Sequence, residues 1–234
     1  MAVNESVPAL RRIQDDIIAC ERCPRLVAHR RRVADEKVRR FRDENYWGRP
    51  VPSFGDPLAR LLIIGLAPAA HGANRTGRAF TGDRSGKWLY DALHSYRFAN
   101  LPRSLHREDG LTLRDCFITQ VVHCAPPGNR PERHEIINCQ SFFLEELQHL
   151  RNVELIVPLG RLAFDACLRA CRHLGHPLPK PLPRFEHGKW ILLPKGYALL
   201  PSYHPSQQNT QTGRLTRDMF HQVFAAARMR LDHG

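Results

Sequence analysis

The sequence predicts an α/β fold in which a central four-stranded, mainly parallel sheet is covered by helices on both faces. Four short apolar runs bounded by turn residues alternate with stretches of helical periodicity along the 234 residues. Each apolar run also ends in a conspicuous loop, and open parallel sheets bind their ligands at such strand ends. We therefore expect a three-layer α/β/α sandwich with right-handed crossovers between its strands.

The length and composition of the chain indicate one domain. With 234 residues, 42% of them hydrophobic, the chain is large enough for a proper core. We expect a single domain over 1–234 that includes an N-terminal arm over 1–57. No run approaches the roughly 18 apolar residues of a membrane span, and the first residues lack the apolar segment of a secretion signal. We therefore expect a cytoplasmic protein without a membrane partner.

The charge of the chain suggests its partner. There are 35 Lys and Arg residues against 23 Asp and Glu residues, which gives a net charge of +12. Such an excess of cations suits a polyanion, with nucleic acid as the first candidate and an acidic membrane as the second. A basic surface that is only solvated is the alternative.

The first half of the chain supplies the arm and the first strand. A short amphipathic helix is predicted over 6–19, and a heavily charged helical segment follows it. A proline-rich loop then leads to the first apolar run, 61–64. This run ends at Gly65 in a long loop that reaches Asp83, and a helix is predicted from about 84 to 98.

The second half repeats the pattern of strand, loop and helix. A second apolar run over 116–122 is followed by a helix to about 150, which we expect Asn129 to cap. A third run over 154–159 feeds a helix that ends near 171. A possible short strand at 190–193 and a fourth apolar run at 197–200 precede a last helix over about 214–230.

Seven cysteines in a chain expected in the cytoplasm do not indicate a disulfide framework. Cys20 and Cys23 form a close pair with ligand spacing, and Cys124 and Cys139 follow the second predicted strand. Four thiolates suit zinc or an iron–sulfur cluster, and their irregular spacing favours the cluster. Four unrelated buried cysteines are the alternative. A metal held here would be structural and would tie the N-terminal arm to the sheet.

Three of the strand-end loops carry long, ordered motifs: GLAPAAHGANRTGRAFTGD at 65–83, VVHCAPPGNRP at 121–131 and YHPSQQNTQTGRLT at 203–216. In these motifs the chain resembles the family 5 uracil-DNA glycosylases, iron–sulfur enzymes often called type B. The resemblance spans nearly the whole chain and implies the uracil-DNA glycosylase fold, a DNA partner and a 4Fe–4S cluster. It also implies the cluster ligands, which would be Cys20, Cys23, Cys124 and Cys139.

The resemblance further implies roles in base binding and excision. A glycosylase extrudes the target nucleotide into a pocket, and the base then departs with negative charge from an oxocarbenium-like sugar. Phe80 matches the residue that stacks on the base, and His204 matches the donor to the departing base. Gln120 falls near the position where relatives often use Asn to read the uracil edge, and a core-facing strand residue is its alternative. Gly65 and Leu66 open the first motif and are assigned to the base pocket.

The first motif departs from the wider superfamily at Ala67, which we also assign to the base pocket. Many relatives have Asp or Asn there to position the attacking water. Family 5 shares this loss and is associated with a broader range of damaged bases. We therefore expect Asn74 or Asp83 to hold the water, although Asp83 also stands where a helix N-cap belongs.

The loop after His204 is expected to contact DNA. Ser206 and Asn209 would enter the duplex near the vacated base, and Arg214 would grip a phosphate.

These predictions describe a monomeric glycosylase that removes uracil and other deaminated bases such as hypoxanthine. The three motifs contain no lysine for a Schiff base, so no lyase step is expected. One rival is an iron–sulfur protein that recognises damaged or single-stranded DNA without cleaving it. The other rival is a nucleotide-binding α/β enzyme that uses the loop at 65–83 for phosphate. This loop lacks a Walker-type GK[ST], which argues against that function.

Overall fold

The computed structural model describes residues 3–194 and 196–233, which are organised around one six-stranded mixed sheet. Its strands, in chain order, are β1 (Phe54–Gly55), β2 (Leu61–Gly65), β3 (Cys116–Gln120), β4 (Leu155–Pro158), β5 (Ile191–Leu192) and β6 (Ala198–Leu199). They lie in the order β1-β3-β2-β4-β6-β5. The four inner strands run parallel, and the two outer strands pair antiparallel with their neighbours.

The four inner strands are the four that the apolar runs predict, so the α/β fold with a parallel central sheet is confirmed. All residues of β2 and β3 are buried, as expected of parallel strands with both faces covered. The sheet has six strands rather than four because each edge adds a two-residue strand. One of these, β5, lies within the possible strand at 190–193, whereas β1 is too short to give an apolar pattern.

Helices cover both faces of the sheet. In the described residues they are α1 (Val3–Ala19), α2 (Pro24–Glu36), α3 (Ala73–Thr76), α4 (Arg84–Ser95), α5 (Arg133–His149), α6 (Arg161–His173), α7 (Gln207–Gln211) and α8 (Arg217–His233). None of the described helices combines the length and apolar composition that a membrane crossing requires.

Alternate residues of β2 point into two separate cores. Leu62 and Ile64 pack in the core that also contains apolar side chains of α1, α5 and α6. Leu61 and Ile63 pack in the core formed with α4 and α8. This alternation follows from the two-residue period of a strand. The sheet is therefore the middle layer of an α/β/α sandwich, as predicted.

Two local predictions differ from the structure. Asn129 does not cap α5, because it lies in a short 3-10 turn and the helix begins at Arg133. Glu132 caps the helix instead, in a reciprocal capping box with Glu135. The loops at 65–83 and 203–216 also contain the single-turn helices α3 and α7, which are too short to show a helical period.

Candidate active site and cysteine site

The predicted base pocket lies where neighbouring strands end. Gly65 and Gln120 are paired in register at the ends of β2 and β3, and His204 follows β6. Phe80 spans this edge of the sheet. A Cβ atom placed on Gly65 would lie 2.8 Å from Cζ of Phe80, and the rings of Phe80 and His204 have centroids 6.0 Å apart. The fold thus brings together four of the predicted residues from four separate segments.

Phe80 is held in an unusual backbone conformation. Its φ is +53°, in the left-handed region that a residue with a side chain rarely adopts. Two contacts fix the turn: Tyr90 donates from its hydroxyl to the carbonyl oxygen of Ala79 at 2.7 Å, and α4 approaches closely at Gly86. A Cβ atom on Gly86 would lie 1.7 Å from the carbonyl oxygen of Phe80, so only glycine fits there.

Gln120 offers an unused hydrogen-bond donor. Its side chain is 2% exposed, and its Nε2 atom has no partner among the described residues. Its Cγ would lie 3.5 Å from a Cβ atom on Gly65, so the amide borders the place where the Phe80 ring ends. A buried amide without a partner is costly, which is a reason to expect a ligand at this position.

The loop after β6 presents His204. The side chain is partly exposed, and burial of the ring lowers its pKa to about 4, so the imidazole is neutral near pH 7. Asn209 donates from Nδ2 to the carbonyl oxygen of His204 at 2.9 Å and so shapes this loop. Ser206 precedes α7, and the guanidinium of exposed Arg214 lies 4.6 Å from the ring centroid of Tyr203.

The two residues predicted to hold water have structural partners. Asp83 caps α4, since its Oδ1 accepts from the backbone N–H of Gly86 at 2.7 Å, and burial raises its pKa. Asn74 is fully buried and donates from Nδ2 to the carbonyl oxygen of Arg30 at 3.2 Å. Leu66 and Ala67, by contrast, are partly exposed at the end of β2.

Sequence reasoning missed two buried polar groups near these residues. Arg78 is 3% exposed and lies two residues before Phe80. Glu146 is 1% exposed on α5 and accepts from the hydroxyl of Thr119, the neighbour of Gln120. A signal for Glu146 exists in the sequence, because it falls at helical spacing from the apolar Phe142 and shares its buried face.

The four predicted ligand cysteines line one cavity. Its remaining walls are mainly apolar and include Leu26, Val122 and Phe142. The four cysteines around it are Cys20, Cys23, Cys124 and Cys139. The other three cysteines, at 116, 167 and 171, are buried in the two cores.

The surroundings of this cavity suit thiolate ligands. The backbone N–H of His123 donates to Sγ of Cys139 at 3.4 Å, and Asn138 donates to Sγ of Cys23 at 3.6 Å. Burial raises the pKa of Cys124 to about 12 and raises that of Cys139 as well, so these thiols stay protonated unless a cation binds. Four sulfur ligands in an apolar cavity fit zinc or an iron–sulfur cluster.

Comparison with known proteins identifies the class to which this fold and site belong. A sequence profile described as the Uracil DNA glycosylase superfamily matches residues 52–228. The chain therefore belongs to the uracil-DNA glycosylase superfamily.

Curated relatives narrow this class to one family. The chain is 50% identical to a type-5 uracil-DNA glycosylase of Thermus thermophilus, over 91% of this chain and 94% of the relative. A type-5 enzyme of Mycobacterium leprae is 48% identical over 95% of both chains, whereas a type-4 enzyme of Saccharolobus solfataricus is only 27% identical. The chain belongs to the type-5 uracil-DNA glycosylase family.

Proposed function

We propose that this protein is a monofunctional DNA glycosylase that hydrolyses the N-glycosidic bond of uracil in DNA and so initiates base excision repair. The observation that carries the proposal is that Phe80 lies close to both Gln120 and His204 at the carboxyl ends of the parallel strands. An aromatic face, a free amide donor and an imidazole are suited to hold a base that has been flipped out of the stack. The type-5 relatives, which are named for this activity, cover nearly the whole chain.

His204 stabilises the departing base as a neutral donor. Because burial lowers its pKa to about 4, the ring carries no positive charge at pH 7 and donates one N–H to an oxygen of the base. The negative charge on that oxygen grows as the glycosidic bond breaks, so the hydrogen bond is stronger in the transition state than in the bound substrate.

Gln120 selects the base through its edge. Its carboxamide contains both donors and an acceptor, so it can bind uracil and also the edge of another deaminated base such as hypoxanthine. Ala67 widens this tolerance because its side chain is short, and Leu66 beside it is likewise partly exposed at the end of β2. We propose this broader range for the same site.

Asn74 and Asp83 are the proposed holders of the attacking water, and variants separate this role from their structural contacts. Asp83→Ser keeps a good N-cap for α4 but removes the carboxylate. Loss of excision in Asp83→Ser at an unchanged melting temperature supports the carboxylate. Retained excision in Asp83→Ser would instead favour Asn74 as the residue that holds the water. Asn74→Asp keeps a side-chain oxygen at this position and is then expected to retain excision.

The loop at 203–216 is the proposed contact with DNA. Ser206 and Asn209 lie next to His204, where they would fill the space of the extruded base, and exposed Arg214 would meet a phosphate. The net charge of +12 favours binding of the duplex, and we propose that one monomer acts on it.

We propose a 4Fe–4S cluster in the cavity formed by the four cysteines. Such a cluster takes four cysteine thiolates, which is the number that surrounds this apolar cavity. Cys20 and Cys23 come from the arm at 1–57 and the other two from the body of the domain, so the cluster would tie the arm to the sheet. Iron analysis of anaerobically purified protein is expected to give four iron atoms per chain, whereas a zinc site would give one zinc ion.

An excision assay tests the proposed function. Labelled duplexes with a single uracil or a single hypoxanthine are incubated with the protein, and alkali then cleaves at abasic sites. The parent protein is expected to produce cleavage on both, and His204→Ala is expected to lose most activity while still binding the duplex. His94→Ala, an exposed histidine on α4, is the matched control. Binding without cleavage by the iron-loaded parent protein would point instead to a DNA-recognition protein.

A further inference from the structure

A buried ion pair lies directly behind the Phe80 turn. Arg78 and Asp109 are joined by a bond of 2.7 Å between Nη2 and Oδ1, and their side chains are only 4% and 8% exposed. Exposed ion pairs contribute little to stability. A buried arginine, whose guanidinium forms a planar fork of N–H donors, holds its partners in a fixed geometry when several of them bind it. Among the described residues, no hydrogen bond of the pair reaches Phe80, Gln120 or His204, so its effect would pass through the backbone that carries Phe80.

The arginine uses almost all of its donors on two segments. Nη2 also donates to the hydroxyl of Ser104 at 2.6 Å and to the carbonyl oxygen of His106 at 2.7 Å. Nη1 donates to the carbonyl oxygen of Arg107 at 3.2 Å, and Nε donates to the hydroxyl of Thr81 at 3.1 Å. The two N–H groups of Nη2 are thus shared among three acceptors; the guanidinium has five N–H groups in a plane for this set, whereas the ammonium of lysine has three.

Asp109 in turn orders the segment that Arg78 grips. Its Oδ2 accepts from the backbone N–H of Leu105 at 2.7 Å, and its Oδ1 accepts from that of Leu111 at 3.0 Å. Burial opposes ionisation of this carboxyl, but the hydrogen bonds from Arg78 and the backbone outweigh it and lower the pKa to about 2. The carboxylate therefore stays charged over the whole range in which the protein would work.

These bonds bracket Phe80 on both sides. Arg78 precedes it by two residues, Thr81 follows it, and both side chains meet at the hydroxyl of Ser104. Gly82 also donates its backbone N–H to the carbonyl oxygen of Ser104 at 3.3 Å. Since φ of Phe80 is +53°, its backbone would relax unless the surrounding contacts determined it.

We propose that Arg78, paired with Asp109, is the positioning residue that keeps the Phe80 ring in place to stack on the extruded base. The inference rests on the proposed function, because the stacking role of Phe80 is part of that function. Loss of the fork would let the Phe80 turn shift, and a misplacement of about 1 Å at a positioning group can lower a rate by roughly 100-fold.

The test uses Arg78→Lys, which keeps the charge and removes the fork. Single-turnover excision of uracil is expected to fall by between about tenfold and 100-fold. Inhibition by free uracil is expected to weaken, while binding of an undamaged duplex stays unchanged. The matched control is Arg60→Lys, since Arg60 also pairs with an aspartate, Asp115, but lies just before β2, away from the strand ends that carry Phe80. It is expected to lower the melting temperature without lowering excision.

A double-mutant cycle separates positioning from general stability. If Arg78 acts through the ring, Arg78→Lys causes no further loss in a Phe80→Ala background. Losses that multiply in the double variant would overturn the proposal, as would equal excision by Arg78→Lys and Arg60→Lys. If Arg78→Lys does not fold, Ser104→Ala removes one of the same contacts more gently and is expected to give the same pattern.

A readout without catalysis keeps this inference separable from the proposed function. 4-Fluorophenylalanine at position 80 reports the ring by its 19F resonance, which is expected to shift and broaden in Arg78→Lys but not in Arg60→Lys. If the parent protein excises no uracil, the proposed function fails while the resonance still tests the positioning. If the parent protein is active, an unchanged 19F resonance in Arg78→Lys would refute the proposal that Arg78 positions the Phe80 ring.

Discussion

The buried carboxyl group of Glu146 should make the stability of this protein depend strongly on pH. Its Oε2 accepts from the hydroxyl of Thr119, and its Oε1 has no partner in the part of the chain that the structure describes. Burial raises its pKa from 4.5 to about 7. We therefore choose Glu146→Gln, which keeps the shape of the side chain and removes the ionisation.

The size of the effect follows from the shift. A change from 4.5 to about 7 is about 2.5 pKa units, and each unit corresponds to 1.36 kcal/mol, so the total is about 3 kcal/mol. In the unfolded chain the carboxyl ionises near 4.5, whereas the folded protein holds its proton until about pH 7. The contribution of Glu146 to stability is thus fully present below pH 4.5 and is lost as the pH rises through 7.

The assay compares melting temperatures in matched buffers between about pH 5 and pH 8. For a chain of this size, about 3 kcal/mol corresponds to about 6 to 12 °C. The melting temperature of Glu146→Gln relative to that of the parent protein should therefore rise by this amount between pH 5 and pH 8. Glu145→Gln, which alters the exposed neighbour on the same helix, should show no such trend. A constant difference between Glu146→Gln and the parent protein would refute the reasoning.

Three further predictions concern the site. Gly65→Ala places a Cβ atom 2.8 Å from Cζ of Phe80, so the ring must move. Single-turnover excision should then fall by at least about tenfold at an unchanged iron content, and an unchanged rate would contradict the contact. Because burial lowers the pKa of His204 to about 4, the excision rate should stay level from pH 8 to about pH 6, and an inflection near 6.5 would indicate a histidine that titrates normally. Cys139→Ser should lose iron and its visible absorbance while Cys167→Ser, altered in the core, keeps both; equal iron in the two variants would remove Cys139 from the ligand set.

Apolar runs bounded by turn residues made the inner strands predictable, whereas the shortest elements and the contacts between residues far apart in the sequence could not be predicted. Every inner strand follows from burial on both faces, which the sequence displays directly. The helices α3 and α7 have four and five residues, too few for a helical period. In the same way the motif at 65–83 indicated Phe80, but the partner of Arg78 lies 31 residues away, and only the folded chain brings Asp109 to it.

The cysteine cavity and the base pocket are joined through the end of β3. Gln120 ends this strand, and Cys124 follows four residues later. Between them, the backbone N–H groups of Val121 and Val122 donate to the carbonyl oxygens of Gly65 and Leu66 at 3.0 and 2.9 Å, so the ladder of β2 and β3 continues into the cysteine segment. A cation held by Cys124 would therefore stabilise the segment that positions the amide of Gln120. His204 follows β6, which β2 and β4 separate from β3, so we expect loss of the proposed cluster to disturb the position of Gln120 more than that of His204.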